Sequence, residues 1–248
     1  MLKEERQDKV LQKLSTEGKV IASKLALELE VSEDTVRRDL LELDQKGMLK
    51  RVYGGALPVA RPVMDYLERE NRDIERKQRM AQKAITFLES DQMIAVDGSS
   101  ANLIFVRSIP DDLPLTLITN SYQIAQACNG KAIEIILIGG HLLRETMTIV
   151  GDVAAEQASL YHPDLCFVGT SGIHPEYGLT IPYQVEVGVK RMLIRSSSKV
   201  ISFINPEKFN TVSKYHVCGI EAFTTLITDD KVSKETLAEY RRHGLECI

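Results

Sequence analysis

Apolar side chains at Val10, Leu11 and Leu14 stand among polar residues at helical spacing, and Gly18 is a natural stop. A second short helix fits Ser23–Leu29, with Leu25, Ala26 and Leu29 on one side. Ser32 then reads as an N-cap, and Glu33 and Asp34 suit the positive end of a helix dipole. Val36, Leu40 and Leu43 follow as a buried stripe that ends at Gly47. Met48 through Ala56 reads as a short strand running into a glycine turn. The order helix, helix, turn, helix, hairpin within residues 1–57 predicts a helix-turn-helix with a small wing.

Residues 58–68 hold Pro58 and Pro62 with little periodicity, which predicts a linker. Glu68–Glu89 is expected to form one long helix, with Ile74, Ala81, Ala84, Ile85 and Leu88 on its apolar side. From Met93 onward short apolar runs alternate with helical stretches. Strands are expected at Met93–Val96, Leu115–Thr119, Ile133–Ile138, Leu165–Val168, Val200–Ile204 and Thr225–Thr228. Helices fit Ala101–Arg107, Tyr122–Cys128, Val153–Leu160, Tyr183–Ser196 and Ser233–His243. The strands are rich in Ile, Val and Leu without polar alternation, as in a sheet covered on both faces. The fold class is therefore α/β, a winged helix-turn-helix followed by an open, mostly parallel α/β sheet. The division is 1–57 for the winged helix-turn-helix, 58–75 for the linker and the start of a connecting helix, and 76–248 for the α/β domain.

The 248 residues are 44% apolar and 27% charged, ordinary for a globular protein and unlike a disordered or fibrous chain. No apolar run reaches the ~18 residues of a membrane span. The charged start Met1-Leu2-Lys3-Glu4-Glu5-Arg6 lacks the apolar core of a secretory signal, so the expected compartment is the cytoplasm. Cys128, Cys166, Cys218 and Cys247 have no paired spacing, which predicts neither a zinc site nor a disulfide framework. None of the five histidines forms a metal-ligand pair, and there is no P-loop or nucleophile elbow, so no cofactor is called for.

The net charge of −4 does not suggest a nucleic-acid binder. Residues 1–57 hold 11 Lys+Arg and 11 Asp+Glu, so the acidic excess lies in the rest of the chain. A DNA argument must therefore rest on where the charges sit. With Val36, Leu40 and Leu43 inward, Thr35, Arg37 and Arg38 lie on the outer side near a helix start, where a recognition helix reads bases. Two arginines alone would more simply be a solvated face. The preceding helix and turn, and the following Lys50-Arg51-x-Tyr53-Gly54-Gly55 wing, add cations where phosphates would lie. The candidate DNA-binding residues are Ser32, Thr35, Arg37, Arg38, Lys50, Arg51 and Tyr53.

These residues carry a resemblance. Glu5-Arg6, Val31-Ser32-x-x-Thr35-Val36-Arg37-Arg38-Asp39-Leu40, Leu43, Gly47 and Arg51-Val52-Tyr53-Gly54-Gly55-Ala56 closely resemble the DeoR family of bacterial transcription regulators. The resemblance implies a winged helix-turn-helix with its reading motif at about residues 20–39.

A second constellation lies at the predicted strand ends. Asp97-Gly98-Ser99-Ser100, Thr119-Asn120-Ser121, Gly139-Gly140 and Gly169-Thr170-Ser171-Gly172 each follow a strand. Open α/β sheets bind ligands outside the carboxyl ends of their strands, and small residues there let backbone N–H groups approach a phosphate. Asp97 and Asn120 are candidates for sugar hydroxyls, and Lys208 for the phosphate. The candidate effector site is thus Asp97, Gly98, Ser99, Ser100, Thr119, Asn120, Ser121 and Lys208, with Gly139 and Gly140 closing its floor. The DeoR resemblance continues through Lys77, Glu186, Lys190-Arg191, Lys208-Phe209 and Ile227-Thr228-Asp229. It implies a domain similar in fold to sugar-phosphate isomerases that senses phosphorylated sugars or related metabolites. Gly188, where the family often has a second acid, and Asn205-Pro206-Glu207 before Lys208 depart from its pattern.

The reading is a non-enzymatic repressor of a carbohydrate-utilisation operon. Its partners are operator DNA, a phosphorylated sugar and other copies of itself in a dimer or tetramer. The alternatives are a sugar-phosphate isomerase with a DNA-binding appendage, or a DNA-binding protein whose second domain only oligomerises. For turnover, Asp97, Glu186 or Asp229 would have to serve as acid or base, and no spacing singles one out.

Overall fold

A computed structural model describes residues 1–60 and 64–248. Pro62, read from the sequence as part of the linker, lies outside the described residues. The N-terminal domain contains α1 (Lys3–Glu17), β1 (Val20–Ile21), α2 (Ala22–Glu28), α3 (Glu33–Gln45), β2 (Lys50–Val52) and β3 (Gly55–Leu57). The wing is a three-stranded antiparallel sheet with β3 in the middle, because the two residues of β1 pair with it from the helical side. A side chain at Gly55 would place its Cβ 1.9 Å from the Val20 carbonyl oxygen, so only glycine lets the strands approach. Val10, Leu14, Leu25, Val36, Leu40, Leu43, Leu49 and Ala56 form one buried cluster beneath the helices. A buried ion pair from Arg6 on α1 to Asp39 on α3 fixes how those two helices cross.

The larger domain runs through α4 (Tyr66–Asn71), α5 (Ile74–Ile85), β4 (Met93–Val96), α6 (Ser100–Ser108), β5 (Leu115–Thr119), α7 (Tyr122–Ala127) and β6 (Ile133–Leu137). A hairpin of β7 (His141–Leu143) and β8 (Thr148–Val150) precedes α8 (Asp152–Ala158) and β9 (Leu165–Phe167). Next come β10 (Gly172–His174), β11 (Gly178–Ile181), α9 (Val187–Ser196), β12 (Lys199–Phe203) and β13 (Tyr215–Cys218). The chain closes with β14 (Thr225–Ile227), α10 (Lys234–Arg242) and β15 (Glu246–Cys247).

Seven parallel strands form the main sheet in the order β15-β14-β12-β9-β4-β5-β6. Side chains alternate across it, as strand geometry requires. Ile94 and Val96 pack with Phe105, Phe167 and Phe203 on the α5–α6 face, while Ala95 faces the cluster of α8 and α9. Strand order proceeds outward from β4 in one direction through β5 and β6, and in the other through β9, β12 and β14. The reversal between β4 and β9 is a topological switch point, where a crevice opens at the carboxyl ends of the strands.

Two expectations from the sequence need correction. The single helix over Glu68–Glu89 is two helices, α4 and α5. Arg72 is extended and Asp73 sits in the left-handed region at φ 54°, a conformation that a short polar side chain tolerates better than most. In addition, β10, β11 and β13 form a separate antiparallel sheet outside the strands expected from the sequence, because their Gly, His and Thr residues break up any continuous apolar run.

Candidate functional site

A cavity of about 440 Å³ opens at the switch point. Gly98, Ser99 and Ser100 line it after β4, Gly169, Thr170 and Ser171 after β9, and Asn205, Glu207 and Lys208 after β12. Arg69, Arg72, Asp73 and Lys77 cover it from α4, α5 and the turn between them. Thr146 and Thr148 approach from the β7–β8 hairpin, and Glu186 and Lys190 from the start of α9.

Ser99 caps α6, its hydroxyl oxygen accepting from the Asn102 amide at 3.1 Å. The first-turn amides of α6 have no intrahelical acceptor, so the helix presents N–H groups and a positive dipole end to the cavity. A side chain at Gly169 would meet Ser99 Cβ at 2.4 Å, so this glycine is what lets the β9 loop lie against that helix start. The Thr170 hydroxyl on the cavity wall is buried and finds no hydrogen-bond partner among the described residues.

The cations divide into two kinds. Lys190 is ion-paired with the buried Asp97. Burial works against its charge, but Asp97, with Glu186 nearby, outweighs that and holds its pKa above the ordinary value. Lys77 and Lys208 instead donate to neutral carbonyls, Lys77 to Arg69 and Lys208 to Thr170 at 2.6 Å. Burial lowers both to about 8. Burial also lowers the Arg69 guanidinium, which stands 5.2 Å from the Tyr66 ring centroid. Glu186 is buried, and one of its oxygens accepts from the Thr148 hydroxyl at 3.2 Å. The cavity thus offers two lysines with no carboxylate hydrogen-bonded to them and a helix N-terminus for an anion, and a carboxylate and hydroxyls for the polar remainder of a ligand.

Of the effector residues expected from sequence, Gly98, Ser99, Ser100 and Lys208 line this cavity. Asp97 lies beneath it with its acceptors in use. Its oxygens take hydrogen bonds from the Ser99 amide, the Asn102 side chain, the Gly169 amide and Lys190. It is therefore the brace that holds β4, β9 and α9 together, and it is not among the residues that line the cavity. Thr119, Asn120 and Ser121 do not line the cavity, because β5 lies on the far side of the switch point. Asn120 bonds to both backbone groups of Ile149 and so pins the hairpin over the end of β5. Thr119 accepts from the Ser121 amide. Gly139 and Gly140 do not form the floor: Gly139 donates to the Gln157 side chain at 2.8 Å, and Gly140 packs against Val150.

The sequence reading left Lys77 and Lys190 out of the site, and the signal for both was present. Lys77 shares the buried stripe of Met80, Ala81 and Ala84 on α5, and Lys190 that of Leu193 and Ile194 on α9. A lysine on an apolar stripe is out of place unless a buried charge has a use.

On the N-terminal domain, α3 stands with Arg37 and Arg38 exposed, and the wing exposes Lys50, Arg51 and Tyr53. Arg37 is paired with Glu33 one turn earlier at 2.7 Å. Ser32 and Thr35 are bonded to each other, hydroxyl to hydroxyl at 2.8 Å, and Ser32 also accepts from the Thr35 amide. They form the helix cap. Asp44 accepts from the Arg51 amide and fixes the wing against α3.

A family model for the DeoR-like helix-turn-helix domain matches residues 6–60, and one for the DeoR C terminal sensor domain matches residues 72–230. The chain belongs to the DeoR family. It is a DNA-binding transcriptional regulator. It is 31% identical over 244 residues to the HTH-type transcriptional regulator GolR of Listeria innocua, an alignment covering 97% of this chain and 96% of the relative. It is 29% identical over 251 residues to the HTH-type transcriptional repressor GlcR of Bacillus subtilis, covering 100% and 96%. Among solved structures it is similar to the full-length sorbitol operon regulator SorC from Klebsiella pneumoniae, with 12% identity, a TM-score of 0.46 and coverage of 93% and 96%. Among the described residues of this DeoR-family chain, no helix is long and apolar enough to cross a membrane, and no cluster of His, Cys, Asp or Glu could hold a metal ion.

Proposed function

We propose that this chain represses a carbohydrate-utilisation operon and that a phosphorylated sugar, or a related metabolite, bound in the switch-point cavity sets its affinity for operator DNA. The observation that carries this reading is the pair Lys77 and Lys208, two partly or fully buried lysines that have only neutral carbonyls as partners. A phosphate placed among them and the start of α6 supplies the missing countercharge. Glu186, Thr146 and Thr148 on the other walls suit the hydroxyls of a sugar. The ligand acts by binding one arrangement of the DNA-binding domains better than another.

The heads act in pairs within a homodimer or tetramer. One head of this size makes few base and phosphate contacts, and two on repeated half-sites combine them through effective concentration. Turnover forms no part of the reading. Asp97 is committed to Lys190, and Asp229 is held by Arg76 at 2.7 Å, so two of the three acids an isomerase could use are occupied.

The test is a thermal-shift panel of phosphorylated sugars, their dephosphorylated forms and inorganic phosphate, followed by operator binding with the best compound. A true ligand raises the midpoint with the logarithm of its concentration. Phosphorylated sugars should stabilise most, and the best of them should release DNA. Equal stabilisation by the dephosphorylated sugar would remove phosphate from the reading, and conversion of the compound by the wild type would favour the isomerase.

A further inference from the structure

Resting on that reading of the cavity, we propose that the segment 208–212 is the mechanical connection by which the cavity reaches the DNA-binding domain. One end of it, Lys208, lines the cavity and donates to the Thr170 carbonyl. The other end, Val212, is bonded to the chain leaving the wing. Its amide donates to the Pro58 carbonyl at 3.1 Å, and its carbonyl accepts from the Ala60 amide at 2.8 Å, forming an isolated parallel bridge with Val59. Pro58 directly follows the last wing strand, β3.

Three residues separate the two ends, and they are stiff. The Thr211 hydroxyl donates back to the Lys208 carbonyl at 2.9 Å. Asn210, in the left-handed region at φ 56°, is bonded through both its amide and its side chain to the Tyr240 hydroxyl. Phe209 is buried and bridges Ile173. A segment held this closely moves as a unit, so displacement of Lys208 is passed on to Val212 and is not absorbed between them. An anion in the cavity draws the Lys208 ammonium off the neutral Thr170 carbonyl, because a charged acceptor makes the stronger hydrogen bond. The pairing of Val212 with Pro58 and Ala60 then loosens, and the heads lose their fixed seat on the sensor domain.

The amides of Val212 and Ala60 report on this directly. Hydrogen exchange of the full-length wild type is to be compared with Lys208→Met, which keeps the stem and removes the charge, and with Lys208→Ala. No ligand is present in this arm. Both amides should exchange about tenfold faster in the variants, while amides in strand β5, on the other side of β4 from the cavity, keep their wild-type rates. Wild-type rates at Val212 and Ala60 would overturn the proposal. So would equal acceleration throughout the domain, which would mean general loosening with no privileged route. In a second arm, Val59→Cys/Val212→Cys is oxidised and tested on operator DNA with glucose 6-phosphate, fructose 6-phosphate and inorganic phosphate. Compounds that release the wild type should leave the cross-linked form on DNA until it is reduced, and release of the cross-linked form would overturn the connection. If no compound releases even the wild type, the proposed effector class fails, and the exchange arm still decides the coupling.

Discussion

On the N-terminal domain Arg37, Arg38, Lys50 and Arg51 stand in water, spread over a helix and a wing. In the sensor domain Lys77, Lys190 and Lys208 converge on one cavity, largely out of water. The first set costs the fold little, since exposed charges are solvated whether or not a partner is present. It waits for a polyanion long enough to touch many of its members at once. The second set opposes folding until something neutralises it. One lysine has an internal carboxylate, and two have only carbonyl groups. The difference separates charges that recognise a ligand by number and spacing from charges that recognise it by enclosure.

The largest effect should come from the internal carboxylate. Asp97→Ala strands the Lys190 charge in the interior and leaves the Gly169 amide short of an acceptor. Breaking a buried pair from one side costs about 3–5 kcal/mol, a large part of a domain's stability. Arg38→Ala, on the exposed set, should stay within about 0.5 kcal/mol of wild type. Urea unfolding of the two variants measures both, and similar midpoints would erase the distinction between enclosed and exposed charge.

The converse holds on DNA. Arg38→Ala should lose about 1–3 kcal/mol of operator affinity if it reads a base, or lose affinity on all sequences with a shallower salt slope if it meets phosphate. Arg37 is held by Glu33 in the free protein, so Glu33→Gln should tighten operator binding by freeing it. Anisotropy titrations at two salt concentrations distinguish these cases. Wild-type affinity in both Arg37→Ala and Arg38→Ala would disqualify α3 as the reader.

The same comparison shows what could be read in the sequence. The DNA-binding domain was legible almost throughout, because its information is local: Ser32 before an acidic first turn, a clean stripe of Val36, Leu40 and Leu43, glycines at the turns. Six of the seven strands of the sensor sheet were legible for the same reason, each lying in a largely apolar run. The cavity was half legible. Strand ends announce where a ligand can bind, but strand order is not written along the chain. Without knowing that the order reverses between β4 and β9, the ends of β5 and β6 looked as suitable as the ends of β9 and β12. Asn120 and Gly140 were drawn into the site, while Lys77 and Glu186 were left outside it. The break at Asp73 escaped because a helix stripe survives a single left-handed residue.

Enclosure also predicts a pH dependence. Lys77 and Lys208 titrate at about 8 in the folded chain, against an ordinary value of 10.5. Between those values the unfolded chain binds more protons, so the stability of the free protein should rise with pH across that window. Below pH 8 both states carry the charges, and the burial penalty is at its full size. A bound phosphate favours the charged lysines, so its affinity should be highest below pH 8. Above that it should fall by up to about tenfold per pH unit for each lysine involved. The phosphate itself is already a dianion there and adds no opposing trend. Calorimetric titration with the best phosphorylated sugar from pH 6 to 9.5 checks the slope, and a flat profile would place the anion away from both lysines.

The smallest expected effect separates capping from reading at the start of α3. Ser32 and Thr35 sit where a recognition helix meets bases, and both were candidates for contact with DNA. In the folded chain their hydroxyls are bonded to each other, and Ser32 accepts from the Thr35 amide. A cap of this kind is worth about 1 kcal/mol, and replacing it with glycine loses only a few tenths. Ser32→Ala should therefore lower stability by about 1 kcal/mol, and Ser32→Gly by much less. Neither change should shift operator affinity by more than about threefold once the folded fraction is taken into account, because a cap contributes through the helix and not through the DNA. A base-reading serine would behave oppositely. Both variants would lose affinity alike, at one base pair of the operator, with stability unchanged in the glycine variant. Thermal unfolding and anisotropy on the same preparations give both quantities, and a tenfold loss of affinity in Ser32→Gly would move this residue from the helix that presents the arginines to the set that touches DNA.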